Sequence, residues 1–222
     1  IRITKTSPNL VSGLDYEIIS HSNVTAKWGL SCPKINDYAG YIFGDNYSET
    51  HINYATICNM GADSMYYWKY GLLFNNIDNN EDDEGVIIEN SEIKTSQNAS
   101  LLLNVSGATI QHNNFADNFI TVYLTDDSDS EAIDSNVIYS SYFGVILEYN
   151  GPKITLTNNV FFANTYAIAS YSTHSTQIKS NVYYANDIAL DISSSHNAVI
   201  SDNLFFLNIN GINLNYSNNS TI

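Results

Sequence analysis

The chain has 222 residues and a formal net charge of −15, with seven lysines and a single arginine. This acidic balance argues against nucleic acid, anionic membranes and polyanionic substrates as partners, because each of them requires a positive surface. It suits a polar surface outside the cell, so we expect an extracellular or cell-surface location. No apolar run reaches the roughly 18 residues of a membrane span, and membrane insertion is not expected.

Residues 1–84 have the least regular sequence. Short alternating stretches at 1–4, 16–25 and 38–43 predict strands, separated by the turn residues proline, asparagine and glycine. A weak repeat frame begins at 52–57, where Tyr54 would take the place of the asparagine that recurs further along the chain. A bulge at 63–70 separates this frame from the next. The sequence therefore predicts irregular coils with insertions for residues 1–84.

Residues 85–222 are built from an internal repeat. An aliphatic residue lies three positions before a recurring asparagine, an apolar residue nearly always lies two positions after it, and a small polar residue lies five positions after it. In this frame Ala99 is equivalent to Val122, and Leu101 is equivalent to Leu124. The recurring asparagines are 23 or 22 residues apart and are Asn90, Asn113, Asn136, Asn159, Asn181 and Asn203. Six copies in register indicate a repeat architecture.

The composition of the repeat indicates strands. Within each unit, β-branched and aromatic residues form short alternating runs separated by asparagine, serine and glycine. We therefore predict three short parallel strands per coil, with successive coils stacked about 4.8 Å apart. Stacking would align the recurring asparagines in a ladder of side-chain hydrogen bonds. The ladder would fix the register, because an unpartnered buried amide costs about 1–3 kcal/mol.

The pattern Ile178-x-x-Asn181-x-Tyr183-x-x-Asn186 and its five relatives resemble the right-handed parallel β-helix repeat of the pectate-lyase-like superfold. The resemblance covers residues 85–222 well and the first half loosely. It implies an all-β fold, a single-stranded right-handed parallel β-helix with coils of about 22 residues. Residues 1–84 would form irregular coils of the same continuous solenoid. This scaffold serves many functions, so the resemblance alone implies no activity.

Two covalent modifications are compatible with the sequence. Cys32 and Cys58 are 26 residues apart, close to one coil, so they form either a disulfide or two buried free thiols. Seven Asn-x-Ser/Thr sequons permit glycosylation. They begin at Asn23, Asn46, Asn98, Asn104, Asn215, Asn218 and Asn219.

An acidic turn at 126–131 is the strongest candidate site in the sequence. Carboxylates clustered on a turn are typical ligands of Ca²⁺. The same composition is also typical of a solvated acidic turn. The candidate ligands are Asp126, Asp127, Asp129 and Glu131. The sequence requires no cofactor, and calcium is the one that this turn could bind.

Enzymes on the resembling scaffold carry signatures that this chain lacks. Polygalacturonase-type enzymes combine an Asn-Thr-Asp stretch, an Asp pair, a His-Gly and an Arg-x-Lys, and only Asp126-Asp127 has a counterpart here. Pectate-lyase-type enzymes use an arginine or lysine as the base beside calcium, and Arg2 is the only arginine. The sequence therefore does not favour catalysis.

Histidines and aromatic residues supply weaker candidates. His174 and His196 share one repeat position, which Asn218 continues, so stacked imidazoles could hold a transition metal as in copper-accessory β-helix proteins. The alternative is two exposed turn histidines. In the pairs Phe161-Phe162, Tyr183-Tyr184 and Phe205-Phe206, the first member should stack inside the coil and the second should line an outer groove or a bend.

An insertion in the first half carries three adjacent aromatic residues. Tyr66, Tyr67 and Trp68 are candidates for contact with a carbohydrate or a partner, because insertions on solenoids usually carry the binding function.

The sequence begins without an initiator methionine or a signal peptide, and it stops at Ile222, the first residue of a new coil. We therefore expect that the native chain continues or that neighbouring subunits cover its ends. Our functional prediction is an extracellular structural protein of a cell surface, sheath, S-layer or filament. It would assemble with copies of itself or with neighbouring surface proteins. A polysaccharide-active enzyme (lyase, hydrolase or depolymerase) and a carbohydrate-binding adhesin module are the alternatives.

Overall fold

The structure, a computed structural model, describes residues 4–5, 16–20, 24–26, 41–44, 50–58, 71–77, 86–96, 98–125, 128, 130–149, 151 and 153–222. Strands and turns make up these ranges, and none of the described residues forms a helix that could cross a membrane.

The described strands are short, and most contain three or six residues. In chain order they are Thr4–Lys5 (β1), Tyr16–Ser20 (β2), Val24–Ala26 (β3), Tyr41–Gly44 (β4), Thr50–Asn53 (β5), Thr56–Cys58 (β6), Leu72–Ile77 (β7), Val86–Glu89 (β8), Glu92–Lys94 (β9), Ala99–Val105 (β10), Thr109–Gln111 (β11), Asn114–Ala116 (β12), Ile120–Thr125 (β13), Ala132–Asp134 (β14), Val137–Tyr139 (β15), Phe143–Glu148 (β16), Thr155–Thr157 (β17), Val160–Phe162 (β18), Tyr166–Tyr171 (β19), Gln177–Lys179 (β20), Val182–Tyr184 (β21), Ile188–Ser193 (β22), Val199–Ser201 (β23), Leu204–Phe206 (β24) and Asn210–Asn215 (β25).

These strands form three sheets, and the chain contributes one strand to each sheet in turn. Sheet A has the order β1-β2-β4-β7-β10-β13-β16-β19-β22-β25, sheet B has the order β23-β20-β17-β14-β11-β8-β5-β3, and sheet C has the order β24-β21-β18-β15-β12-β9-β6. The pair β1–β2 is antiparallel, whereas the other described strand pairs are parallel. One coil runs through a strand of sheet B, then of sheet C, then of sheet A. The predicted right-handed parallel β-helix is confirmed, with about six turns.

Single residues in the left-handed backbone region bend the chain between sheets. At the corner between sheets B and C, φ lies between 50° and 57° in Tyr54, Asn90, His112, Ser135, Asn158, Ser180 and Asp202. Short polar side chains visit this region more easily than other non-glycine residues, which explains why asparagine, serine and aspartate are frequent there. The residue after each corner enters the coil interior.

The predicted asparagine ladder is confirmed from Asn113 onward. Each side-chain amide donates to the Oδ1 atom of the next asparagine, for example from Asn136 to Asn159 at 3.0 Å and from Asn159 to Asn181 at 3.0 Å. The same amide also donates to a backbone carbonyl of the preceding coil, as Asn181 does to Leu156 at 2.8 Å. Asn113, Asn136, Asn159 and Asn181 are buried, and Asn203 is half-buried. Every polar atom of a buried amide therefore has a partner.

The predicted register is wrong in the two preceding coils. Tyr54 and Asn90 occupy the corner position, and Ala55 and Ser91 occupy the ladder position. The backbone amide of Ser91 donates to Asn113 Oδ1 at 3.0 Å. In the same coil Leu101 pairs with Val122, so Leu101 is not equivalent to Leu124, and Ala99 pairs with Ile120. Ile93, and not Glu92, lies opposite Phe115. The predicted register failed here because asparagine is favoured both in a ladder and at a corner in the left-handed backbone region.

A second ladder and a hydroxyl cluster hold the other two corners. Asn164 donates to Asn186 Oδ1 at 3.1 Å, and Asn186 donates to Asn208 Oδ1 at 3.0 Å. Ser170 interrupts an inward aliphatic column of sheet A, and its hydroxyl bonds to Thr173 Oγ1 at 2.8 Å and to Ser195 Oγ at 3.1 Å. A buried hydroxyl replaces a methyl group here because the adjacent corner supplies its partners.

The interior is a set of stacked columns. Phe115 and Phe161 are fully buried as predicted, and Phe205 is half-buried against the same core. The Tyr183 ring stacks between Phe161, at a centroid distance of 5.3 Å, and Phe205, at 4.7 Å. Its hydroxyl is buried and has no hydrogen-bond partner among the described residues. Burial raises the pKa of Tyr183 well above 10, so the hydroxyl stays neutral.

We expect Asn181→Leu to lower the free energy of unfolding by about 1–3 kcal/mol, because it leaves buried groups of Asn159 and Leu156 short of partners. Chemical denaturation monitored by circular dichroism measures the change. Gln177→Leu, an exposed position of the same coil, is the control and should have little effect. Equal stability of the Asn181→Leu variant and the wild type would contradict the ladder.

We expect Tyr183→Phe to raise the free energy of unfolding by about 1 kcal/mol, because it removes an unpartnered buried hydroxyl and keeps the ring stack. The same denaturation measurement applies. Tyr184→Phe is the control, since that tyrosine is 38% exposed. A clear loss of stability in Tyr183→Phe would show that its hydroxyl has a partner.

Candidate functional site

The outer side of sheet C carries a continuous apolar surface, which we call the apolar face. Because side chains alternate along a strand, the first and third residues of each three-residue strand point outward. In β15, β18, β21 and β24 both of these residues are apolar, and parallel pairing stacks them in two columns. The apolar face consists of Val137, Tyr139, Val160, Phe162, Val182, Tyr184, Leu204 and Phe206.

The aromatic rings of the apolar face stack along the solenoid axis. Tyr139 and Phe162 are 4.6 Å apart between ring centroids with an interplanar angle of 4°, and Tyr184 and Phe206 are also 4.6 Å apart. Each stacked ring therefore covers the face of its neighbour and presents its edge outward. An aromatic platform for sugar rings needs exposed ring faces, so this surface is better suited to a flat apolar partner.

Sheet B has a polar outer side in the same coils. Its outward residues are Ala132 and Asp134, then Thr155 and Thr157, then Gln177 and Lys179, then Val199 and Ser201. The contrast follows from the sequence, because these sheet C strands contain three apolar residues in a row, whereas each of these sheet B strands has at least one polar outward residue. Reading the strands for three consecutive apolar residues could have identified the apolar face before the structure.

Upstream coils carry a hydrogen-bonded group centred on Glu89. Its Oε1 atom accepts from His51 Nε2 at 2.8 Å and from Asn53 Nδ2 at 2.9 Å, and its Oε2 atom accepts from Gln111 Nε2 at 2.9 Å. The hydrogen bonds from Gln111 and His51, helped by the nearby His112, hold the pKa of Glu89 below its ordinary value of 4.5. The carboxylate is therefore charged at neutral pH and positions three neighbouring side chains. This group was not predicted from the sequence.

Asp134 forms a similar centre two coils further along. Burial opposes its charged form, but hydrogen bonds from Thr157 Oγ1, Ser135 Oγ and Asn158 Nδ2 outweigh that effect. With His112 nearby, they hold the pKa of Asp134 below its ordinary value of 3.8. The outer side of sheet B is thus organised around two charged carboxylates.

An open groove of about 500 Å³ lies beside this surface, at the corner between sheets B and C. Its walls are Tyr54, Asn90, Glu92, His112 and Asn114, and Ala55 and Ser91 form its floor. The groove therefore combines an aromatic ring with a carboxylate, an imidazole and two amides.

The predicted histidine pair is brought together. The rings of His174 and His196 are 5.6 Å apart between centroids with an interplanar angle of 37°. His196 Nδ1 accepts a hydrogen bond from the backbone amide of Asn218 at 3.1 Å. Two imidazoles are an incomplete metal site. Across the described ranges, no three side chains of histidine, cysteine, aspartate or glutamate are placed to hold one metal ion.

Several predicted site residues fall outside the described residues, and the hypotheses that depend on them stay predictions. They are Tyr66, Tyr67 and Trp68 of the insertion, Asp126, Asp127 and Asp129 of the acidic turn, Cys32, and the sequons at Asn23 and Asn46. Cys58 lies in β6, and only the backbone of this residue is described. Glu131 is fully buried next to β14.

The other sequon asparagines differ in accessibility. Asn98 and Asn104 are half-buried, and Ser100, the hydroxyl residue of the first of these sequons, is fully buried. Asn215, Asn218 and Asn219 are exposed. Glycan attachment is therefore best accommodated at the last three sites.

We expect Glu89→Gln to lower stability at neutral pH but not in acid. The depressed pKa of Glu89 means that its stabilising effect is present above pH 4.5 and is lost as the pH falls through the folded-state pKa. Denaturation at a series of pH values from about 7 to 3 measures the difference between variant and wild type. The exposed Asp187→Asn controls for the change in net charge. A difference that does not depend on pH would contradict the role of Glu89.

Comparison with known proteins identifies the family. The family model for NosD, described as a periplasmic copper-binding protein, matches residues 53–222, which is well over half of the chain. No curated protein and no solved structure matches the chain. The matched residues include the described coils from Asn53 onward, with their ladders and the apolar face. The chain therefore belongs to the NosD family.

Proposed function

We propose that the chain is an extracellular or periplasmic β-helix scaffold that associates side by side with a second copy of itself through the apolar face. The observation that carries this proposal is the pair of apolar columns on the outer side of sheet C. In a chain of net charge −15, these eight side chains contain no charge. Two copies approach with the least repulsion where carboxylates are absent, so the apolar face is the favoured point of contact.

The geometry suits a symmetric contact. Two flat β-sheet faces pack about 10 Å apart with interdigitating side chains, and a two-fold axis would bring the same columns of both copies together. Strands about 4.8 Å apart make four of them roughly 20 Å wide, so two such faces bury less than the roughly 800 Å² per partner of a standard interface. We therefore expect weak association in solution that strengthens when copies are held close together on a surface.

The NosD description supports a place outside the cytoplasm for this chain. It also names copper, for which imidazole is a suitable ligand. The described histidines, however, occur as the pair His174–His196, as His51 hydrogen-bonded to Glu89, and as His112 in the wall of the groove. In the described coils these donors do not converge, so they do not fit a copper site, and the proposed role of the scaffold does not involve the metal.

We expect Tyr184→Glu and Leu204→Glu each to weaken self-association at least tenfold, because each places a negative charge within the apolar contact. Sedimentation velocity over a range of protein concentrations measures the dissociation constant. Both residues are exposed, so the variants should fold.

Gln177→Glu is the matched control. It makes the same change of charge on the outer side of sheet B and should leave the dissociation constant unchanged. A wild-type protein that stays monomeric at every concentration would disprove the proposal. So would a control variant that weakens association as much as Leu204→Glu.

A further inference from the structure

The groove at the corner between sheets B and C has walls that the fold holds in place. Tyr54, Asn90 and His112 are the corner residues of three successive coils, with φ values of 52°, 50° and 56°. Glu92 and Asn114 are the outward first residues of β9 and β12, which pair in register. Five side chains from three coils therefore face one open space of about 500 Å³.

Hydrogen bonds to residues outside the groove orient two of these side chains. Asn90 Nδ2 donates to Asn53 Oδ1 at 3.2 Å, and Asn53 Nδ2 donates to Glu89 Oε1 at 2.9 Å. Lys94 Nζ binds Glu92 Oε1 at 2.9 Å. The carboxylate group of Glu89 thus indirectly fixes the amide of Asn90. A ligand would meet side chains that are already positioned, which lowers the entropic cost of binding.

The chemistry of the walls selects among ligand classes. A phosphate or other anion would meet the Glu92 carboxylate in a chain of net charge −15. A metal ion would need three converging donors, which the described part of the chain does not provide. A purely apolar ligand would displace water from the amides, the imidazole and the carboxylate without replacing its hydrogen bonds. A neutral ligand with many hydroxyl groups can form hydrogen bonds with all of these side chains.

A saccharide ring fits these requirements. Each of its hydroxyl groups can donate to Glu92 or accept from an amide, and its C–H face can lie against an aromatic ring. The Tyr54 side chain is 65% exposed beside the groove. A volume of about 500 Å³ is within the usual range of small-ligand sites, roughly 300–1,000 Å³.

We propose that this groove is a binding site for one or two rings of a neutral saccharide. Later coils lack the constellation, since the positions of His112 and Asn114 are taken by Ser135 and Val137 and then by Asn158 and Val160. The site is therefore local to the coils of β5, β8 and β11. It shares no residue with the apolar face, whose nearest residue is Val137 beside Asn114, and it does not require self-association.

The test is saturation-transfer NMR with cellobiose and N,N′-diacetylchitobiose as probes, followed by titration of the disaccharide that gives the stronger signal. We expect Tyr54→Ala and Asn114→Ala each to weaken binding at least tenfold. Tyr149→Ala is the matched control, because Tyr149 is also a corner residue, with a φ of 53° and 63% exposure. Leu204→Glu should bind the probe like the wild type, which separates this site from the dimer contact.

Three results would overturn the proposal. One is the absence of binding by both disaccharides at millimolar concentration. The second is binding that survives Tyr54→Ala and Asn114→Ala, and the third is an equal loss of binding in the Tyr149→Ala control.

Discussion

The hydrogen bond between one asparagine amide and the asparagine of the next coil is the interaction on which this structure depends. A buried amide without partners costs about 1–3 kcal/mol, and in the stack each amide from Asn113 to Asn181 has partners in the coils above and below. Shifting one coil by a single residue would break these bonds and would turn every inward side chain outward. The ladder therefore fixes which residues of each strand reach the solvent.

That constraint explains how one repeat produces two different outer surfaces. From β14 onward, the strands of sheets B and C contain three residues with the second facing inward, an aliphatic residue in sheet B and an aliphatic or aromatic residue in sheet C, so the interior stays apolar. Their outward positions are free to vary, and stacking places the equivalent outward residues of successive coils in one column. Aspartate, threonine, lysine and serine follow one another in one outward column of sheet B and make it polar, whereas aliphatic and aromatic side chains form the two outward columns of sheet C. Function on such a scaffold resides in these columns and not in the fold.

The coils of β5 and β8 depart from the ladder, and the unusual chemistry lies beside them. Ala55 and Ser91 replace the ladder asparagine, so the backbone amide of Ala55 bonds to the Ser91 hydroxyl at 3.1 Å. Smaller side chains form the floor of the groove there, and larger corner residues form its walls. The charged carboxylate of Glu89 joins side chains of three adjacent coils next to the same corner. The asparagine ladder is thus interrupted in the same coils that carry the groove and the hydrogen-bonded group of Glu89.

The sequence by itself determined the solenoid, the three strands per coil and the register from Asn113 to the C-terminus. It could do so because a parallel stack needs the same residue type at the same interval, and asparagine marks that interval. It failed at Tyr54 and Asn90, because a corner in the left-handed region and a ladder both favour asparagine, and only the pairing of β8 with β11 distinguishes them. His51 and Glu89 are 38 residues apart in the chain, a separation that is not a multiple of the repeat. The insertion between β5 and β8 lengthens the sequence separation of these two adjacent coils. Only the tertiary structure therefore shows that His51 and Glu89 form a pair.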